Sequence, residues 1–191
     1  MSRNPQFDQL IQELCNSASE SSSCFGSVEQ ETYAHLARVF TEDMLRTYEA
    51  KDQDYASDGK PMGNLRGSEY LGIPAWKAVL LRMSDKKQRI VSFVNRGKFE
   101  VDDEKITDTL IDLANYALLG LILFREVYDV QFHAPDQARA DKHFFNISVC
   151  ALKSKMLHEL NSKETESWSG ATWTELLESF DAVAEFARSS Q

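Results

Sequence analysis

The chain has 191 residues, a hydrophobic fraction of 42% and a formal net charge of −9. This length suffices to bury the core of one domain without disulfides or a structural metal, and the apolar fraction excludes an intrinsically disordered chain. The negative charge excludes a general attraction to nucleic acid polymers or anionic membranes, because those partners bind surfaces rich in lysine and arginine.

The cysteines and the apolar segments bear on the cellular compartment. Cys15, Cys24 and Cys150 are odd in number and lack CxxC spacing, so neither a disulfide framework nor a zinc site is predicted. The N-terminal segment lacks the continuous apolar core of a secretory signal. The longest apolar run, at 113–124, is shorter than the roughly 20 residues of a membrane span. The sequence therefore predicts a cytoplasmic protein that does not associate with membranes.

Apolar residues recur at three- and four-residue steps along most of the chain, which predicts an all-α fold, a bundle of about five to six helices. A short helix and a Ser-rich linker are predicted for 1–28, and a single helical domain for 29–191. Within that domain the predicted helices lie at about 29–57, 74–95, 102–130, 136–161 and 172–188. Four glycines and two prolines in 57–74 favour a long loop there.

A ladder of polar side chains marks the helix predicted to begin near Asp102 or Asp103. Glu104, Asp108, Asp112 and Asn115 are spaced four, four and three residues apart, which places them on one helix face. Apolar neighbours surround Asp112, and an ionised carboxylate in apolar packing costs several kcal/mol unless it is paired or bound to a metal. Two interpretations follow. The inner acids pair with Arg or Lys of a neighbouring helix, or the ladder binds a hard cation such as Mg²⁺, which prefers oxygen ligands.

A second cluster lies on the helix predicted at 74–95. Arg82, Asp85, Lys86 and Arg89 are predicted on the face opposite its apolar stripe. Asp85 is a candidate metal ligand, and the three cations are candidates for contacting phosphate oxygens. The alternative is a set of ordinary surface ion pairs, each worth under about 1 kcal/mol.

A third cluster, Lys51, Asp54 and Tyr55, ends the helix predicted at 29–57, directly before the Gly-rich loop. A lysine and an aspartate in this position suit nucleotide binding, and equally suit a polar helix C-terminus followed by a turn. The four histidines are scattered without metal-ligand spacing, and the sequence contains no P-loop, GxGxxG or GxSxG motif.

The three elements KDQDY, LLRMSDKKQRI and ITDTLIDLANYALLGL together resemble the phage and bacterial nucleotide-modification-associated family, over about 48–126. The matching positions are Lys51, Asp54, Tyr55, Arg82, Asp85, Lys86, Arg89, Asp108, Asp112, Asn115 and Tyr116. That family is similar to the all-α nucleoside triphosphate pyrophosphohydrolases of the MazG and dimeric dUTPase type. In those enzymes, acids on two adjacent helices hold Mg²⁺ for attack of water on the α–β phosphate linkage.

The resemblance implies a Mg²⁺-dependent pyrophosphohydrolase of phage nucleotide metabolism that acts on a (deoxy)nucleoside triphosphate, standard or modified. It also implies a MazG-like core at about 48–130 and a homo-oligomer, a dimer or larger. The implied catalytic and metal-binding residues are Asp85, Asp108 and Asp112, with Glu104 or Asp54 as a further ligand. The implied substrate-binding residues are Lys51, Asp54, Tyr55, Arg82, Lys86, Arg89 and Asn115.

The sequence departs from the MazG pattern in two places, and two other hypotheses therefore stay open. It has no Glu-Glu-x-x-Glu helix, and it shows Asp-x-x-x-Asp where Glu-x-x-Asp is expected. The reduced number of acids favours a non-catalytic protein that sequesters or senses a nucleotide. A helical interaction protein is the third hypothesis, and it predicts no nucleotide binding and no functional effect of Arg82→Ala or Arg89→Ala.

Overall fold

A computed structural model describes residues 5–19, 30–55, 62–96, 105–128, 134–160 and 171–190. These residues contain no strand, which confirms the predicted all-α fold class. The elements are α1 (Pro5–Ser19), α2 (Gln30–Tyr55), α3 (Gly63–Arg66), a 3-10 helix (Gly67–Leu71), α4 (Ala75–Arg96), α5 (Ile106–Val127), α6 (Pro135–Leu160) and α7 (Ala171–Ser189).

The region predicted as a long loop is partly helical. Residues 63–71 form α3 and the 3-10 helix, so the loop prediction is wrong for this stretch, and 56–61 lie outside the described residues. Its ends show why the helices stay short. Met62 has a left-handed backbone with φ of 58°, and Gly72 ends the 3-10 helix at φ of 73°, a conformation that glycine adopts without a Cβ clash.

The start of α5 also differs from the prediction. α5 begins at Ile106, after Lys105 in an extended conformation without a side-chain cap, so a helix start at Asp102 or Asp103 is wrong. Both aspartates, like Glu104, lie outside the described residues. Asp108 lies in the first turn instead, where a carboxylate interacts favourably with the positive end of the helix dipole.

The core is built around α5. α4 packs along one side of α5 and α6 along another, while α7 packs on α6 and α1 on α2. By length and composition α5 could cross a membrane, but 78% of its most apolar window is buried within the protein, as in the core helix of a globular domain. A Cβ atom at Gly120 in the middle of α5 would lie 2.7 Å from Phe144 Cε1, so glycine permits the close approach of α5 and α6.

An aromatic cluster joins four helices at one end of the core. Trp76 packs edge-on against Phe124 with ring centroids 5.4 Å apart, and Phe144 lies 5.7 Å from Phe124. Phe186 of α7 and Tyr128 complete the cluster, with centroids 5.7 Å apart. Such pairs stabilise a core beyond the apolar area that they bury. The cluster fixes how α4, α5, α6 and α7 lie relative to one another.

The N-terminal helix α1 belongs to the same core. Its buried residues follow the three- and four-residue spacing of one helix face, and they are Phe7, Leu10, Leu14 and Ala18. The Phe7 ring stacks on Tyr48 of α2, with centroids 4.1 Å apart and an interplanar angle of 18°. α1 thereby supports the part of α2 that precedes Lys51.

Candidate functional site

The predicted site residues that the fold brings closest together are Lys51, Lys86 and Asp112, which we name the lysine–aspartate–lysine cluster. Lys51 of α2 donates to Asp112 Oδ1 at 2.5 Å, and Lys86 of α4 donates to Asp112 Oδ2 at 2.7 Å. The side chains of Asp112 and Lys86 are only 21% and 19% exposed. The three groups together carry one net positive charge, and they link α2, α4 and α5.

The two lysines keep the Asp112 carboxylate ionised. Burial on its own would raise the pKa of Asp112, but the hydrogen bonds and positive charges of Lys51 and Lys86 outweigh this effect and hold the pKa below its usual value. A carboxylate in partly apolar surroundings is therefore accommodated by ion pairing. This arrangement agrees with the first interpretation of the ladder, pairing with cations of neighbouring helices.

The position of Lys86 differs from the prediction that it lies opposite the apolar stripe of α4. Met83 and Ile90 are fully buried, and Lys86 follows the first by three residues and precedes the second by four. That spacing places Lys86 on the edge of the buried face, where it reaches Asp112. Arg82 and Asp85 are exposed, as predicted for that cluster.

A small pocket of about 40 Å³ adjoins the cluster, between α2, α3 and α5. We name it the α2–α5 pocket. Its lining residues are Tyr48, Lys51, Met62, Asn64, Leu65, Asp112, Asn115, Tyr116 and Leu119. Aromatic and aliphatic side chains form most of the walls, and the charged cluster lies at one edge. Lys51 Nζ is 5.7 Å from the centroid of the Tyr116 ring, within the range of a cation–π interaction.

Asn115, one of the lining residues, has an unsatisfied hydrogen-bond acceptor. The side chain is 5% exposed, and its Nδ2 donates to the Met44 carbonyl oxygen at 3.2 Å. A carbonyl only accepts, so the orientation of the amide is fixed. Oδ1 is buried without a hydrogen-bond partner among the described residues. Leaving such an acceptor unpaired costs about 1–3 kcal/mol, so the site favours a ligand or a water that offers a donor.

The structure does not bring the remaining candidates into the pocket. Asp85 and Arg82 are exposed on α4, Arg89 is half-buried there, and Asp108 is exposed at the start of α5. Two further candidates, Asp54 and Tyr55, lie in the last turn of α2, and their side chains are outside the described residues, as is all of Glu104.

A third lysine lies within electrostatic range of Asp108, the ladder residue one turn before Asp112. Lys155 of α6 is 7% exposed, and its Nζ lies 3.7 Å from Asp43 Oδ2 and 3.7 Å from the centroid of the Phe40 ring. Burial lowers the pKa of Lys155, against the raising effect of the charges of Asp43, Glu159 and Asp108. Both Asp108 and Asp112 therefore lie within electrostatic range of lysines.

The residues around Asp112 do not fit a magnesium ion in this arrangement. Both carboxylate oxygens of Asp112 accept hydrogen bonds from ammonium groups, which would oppose a cation at the same oxygens. No group of three His, Cys, Asp or Glu side chains that could hold a metal occurs within the described part of the chain. The predicted ligands Glu104 and Asp54 lie outside the part in which such a group can be assessed.

Sequence reasoning missed the apolar walls of the pocket. Tyr48, Met62, Leu65 and Leu119 line it, although none carries a charge that suggested a site. Two of them had a usable signal. Tyr48 precedes Lys51 by three residues and Leu119 follows Asn115 by four, so each lies one helical turn from a candidate residue. Nothing in the loop composition indicated Met62 or Leu65.

The fold and the pocket thus define an all-α protein with a cationic cluster beside an apolar cavity. Residues 74–124 match the model of a family described as Nucleotide modification associated domain 1. The match includes Lys86, Asp112 and Asn115 and excludes Lys51, and it supports the family resemblance within those bounds. No curated protein and no solved structure matches the chain significantly. The similarity to MazG-type enzymes stays a prediction.

Proposed function

We propose that the protein binds a nucleotide at the α2–α5 pocket, whose volume of about 40 Å³ must enlarge to admit a base. The phosphate groups contact the ammonium groups of Lys51 and Lys86, and the nucleoside lies against Tyr48 and Tyr116. The observation that carries this proposal is the sharing of Asp112 between two lysines at the edge of an apolar pocket. The match of 74–124 to a nucleotide-modification-associated family supports it independently.

The charges of the cluster suit a phosphate group. Each lysine ammonium has three donors, and in both lysines Asp112 accepts only one of them. Phosphate oxygens can take the remaining donors through charge-assisted hydrogen bonds. The chain as a whole carries a charge of −9, so the local positive charge is what favours an anion at this position.

The same geometry supports a binding function that needs no metal. Asp112, which the family resemblance implies as a catalytic ligand, is engaged by two lysines, and these also neutralise phosphate charge without a divalent ion. A protein of this kind would sequester a nucleotide or sense its concentration.

Magnesium-dependent hydrolysis of a nucleoside triphosphate is the competing proposal. It is supported by two exposed acids near the cluster, because Asp85 directly precedes Lys86 on α4, and Asp108 lies one turn before Asp112 on α5. In this case Asp85 and Asp108 would bind the ion, and the reaction would release a monophosphate and pyrophosphate.

One experiment separates the two proposals. Ribo- and deoxynucleoside triphosphates and monophosphates are titrated into the full chain by calorimetry, with Mg²⁺ and with a chelator, and the same mixtures are analysed by chromatography. Chelator-resistant binding without product supports the binding protein. Metal-dependent release of pyrophosphate would establish the hydrolase instead. If no nucleotide binds under either condition, both proposals are wrong and the helical interaction protein gains support.

A further inference from the structure

We infer that Asn115 selects the base of the bound nucleotide, with its Oδ1 accepting a hydrogen bond from a base N–H. This inference rests on the proposed nucleotide binding and adds a chemical requirement to it. The ligand must offer an unsubstituted N–H at the edge of its base. A base whose N–H groups are replaced by N–CH₃ would be rejected.

The side-chain amide of Asn115 has a fixed orientation. Asn115 Nδ2 donates to the Met44 carbonyl at 3.2 Å, and Met44 is fully buried within α2. An amide rotated by 180° would place its oxygen against that carbonyl oxygen, so the present orientation is the stable one. Oδ1 is left as the acceptor without a partner in the described part of the chain. Asn115 lines the pocket, so an acceptor of fixed orientation lies beside it before any ligand binds, and a base reaches this buried atom once the pocket enlarges.

The lining of the pocket favours a base over a sugar beside Asn115. The walls near Asn115 are Tyr48, Tyr116 and Leu119, which offer flat or aliphatic surface. A planar base packs well against such surface, whereas a sugar with several hydroxyl groups needs more polar partners. Asn115 lies one turn beyond Asp112 along α5, so phosphate at the lysines leaves the base on the Asn115 side.

The size of the pocket identifies the competing explanation. A volume of about 40 Å³ is enough for one or two water molecules, and a water could donate to Oδ1 instead of a base. The two explanations differ in one respect. A water donates whatever the base carries, whereas a base can donate only while its N–H is intact.

The test compares each nucleotide that binds the unchanged protein with its N-methylated counterpart, by calorimetry. The probes are N3-methyluridine, N3-methylthymidine, N1,N2,N2-trimethylguanosine, N4,N4-dimethylcytidine and N6,N6-dimethyladenosine nucleotides. We expect methylation to weaken binding by about 10- to 100-fold, the effect of leaving a buried acceptor unpaired. In Asn115→Leu, which has a similar volume and no acceptor, the parent and methylated nucleotides should bind with similar affinity.

The outcomes distinguish a failure of the inference from a failure of the proposed function. Equal affinity of parent and methylated nucleotides for the unchanged protein would overturn the inference and leave nucleotide binding intact. An affinity that depends on the sugar, lost in 2′,3′-dideoxynucleotides and unaffected by base methylation, would overturn it in favour of a sugar hydroxyl. No binding of any nucleotide would overturn the proposed function and the inference together. The comparison on the unchanged protein stays decisive if Asn115→Leu fails to fold.

Discussion

Lys86 on α4 donates a hydrogen bond to Asp112 on α5 across 2.7 Å. The next residue, Lys87, instead pairs with Asp181 of α7 at 3.0 Å. The two lysine side chains are similarly buried, at 19% and 17% exposure. Two adjacent residues of the same type therefore serve different interfaces, which makes them a matched pair for mutagenesis.

Replacing Lys86 with Met should weaken nucleotide binding. A charge-assisted hydrogen bond to phosphate is worth about 1.5–3 kcal/mol, so we expect a loss of roughly tenfold or more in affinity, measured by calorimetry. Lys87→Met is the control and should change the affinity by less than about twofold, because Lys87 pairs with Asp181 of α7 and not with Asp112. Equal losses in both variants would show that Lys86 acts through general charge or stability.

Asp112→Asn should separate binding from catalysis. The change removes the negative charge between Lys51 and Lys86, so the unfolding free energy should fall by about 1–3 kcal/mol, as measured by urea unfolding. Nucleotide affinity should stay the same or rise, because repulsion between the carboxylate and phosphate disappears. If the protein instead shows Mg²⁺-dependent turnover that this variant abolishes, the binding-only proposal is wrong.

Folding stability should decrease in mildly acidic solution because of two histidines. Burial is the main cause that lowers the pKa of His143 and of His158, and for His143 the charges of Arg139 and Lys142 add to it. The unfolded chain then binds protons more readily than the folded one. The unfolding free energy should therefore be fully retained above about pH 6.5 and fall as the pH decreases below that value.

Urea unfolding of the unchanged protein and of the double variant His143→Gln, His158→Gln, at pH 7.5 and 5.5, tests this expectation. The double variant should lose less stability over the interval. Because all carboxylates are common to both proteins, the difference between them isolates the two histidines. Identical losses would mean that neither histidine contributes.

Gly120→Ala should destabilise the protein although alanine favours a helix. The gain in helix propensity is about 1 kcal/mol, but the added Cβ would lie 2.7 Å from the Phe144 ring. Phe144 is fully buried and packed against Phe124, so it has little room to move. Overpacking of this kind costs about 1–3 kcal/mol, and thermal unfolding should show a lower midpoint. In a Phe144→Leu background the same change should cost less, and an unchanged cost would contradict the assigned contact.

Phe7→Ala should reduce both stability and nucleotide affinity. Truncating a buried phenylalanine costs about 3–5 kcal/mol, and here it also removes the ring that stacks on Tyr48, a residue of the pocket wall. Leu14→Ala is the control, since Leu14 is equally buried on α1 and lies seven residues further along the helix. Both variants should unfold at lower urea concentrations, and only Phe7→Ala should weaken binding measured below the onset of unfolding.

The helices could be predicted from the sequence because the apolar residues of a packed helix recur at a local, readable period. The exception was 63–71, where four- and five-residue helical turns are too short to show a period. For Lys86 the sequence contained an informative spacing, but the prediction did not use it. Its spacing from Met83 and Ile90 indicated a position beside the core, but it was grouped with the charged residues predicted on the face opposite the apolar stripe.

The partners of Asp112 could not be predicted in the same way. Lys51 and Lys86 are separated from it by 61 and 26 residues, so their contacts depend on how whole helices pack. The apolar setting of Asp112 within α5 indicated only that the carboxylate needs a partner, and an ammonium group and a metal ion satisfy that need equally well. The orphaned acceptor of Asn115 depends in turn on the Met44 carbonyl, which no sequence motif marks.

The site is also divided between the part of the chain that matches the family model and a part that does not. The family match at 74–124 supplies Lys86 and Asp112, while Lys51 and Tyr48 come from α2, outside it. A recombination event that moved only 74–124 into another protein would transfer Asp112 with Lys86 but without Lys51. Of the pocket lining it would transfer only the residues of α5. We therefore expect exchange between homologous genes to preserve this site only where the stretch from the start of α2 to the end of α5 is exchanged as one piece.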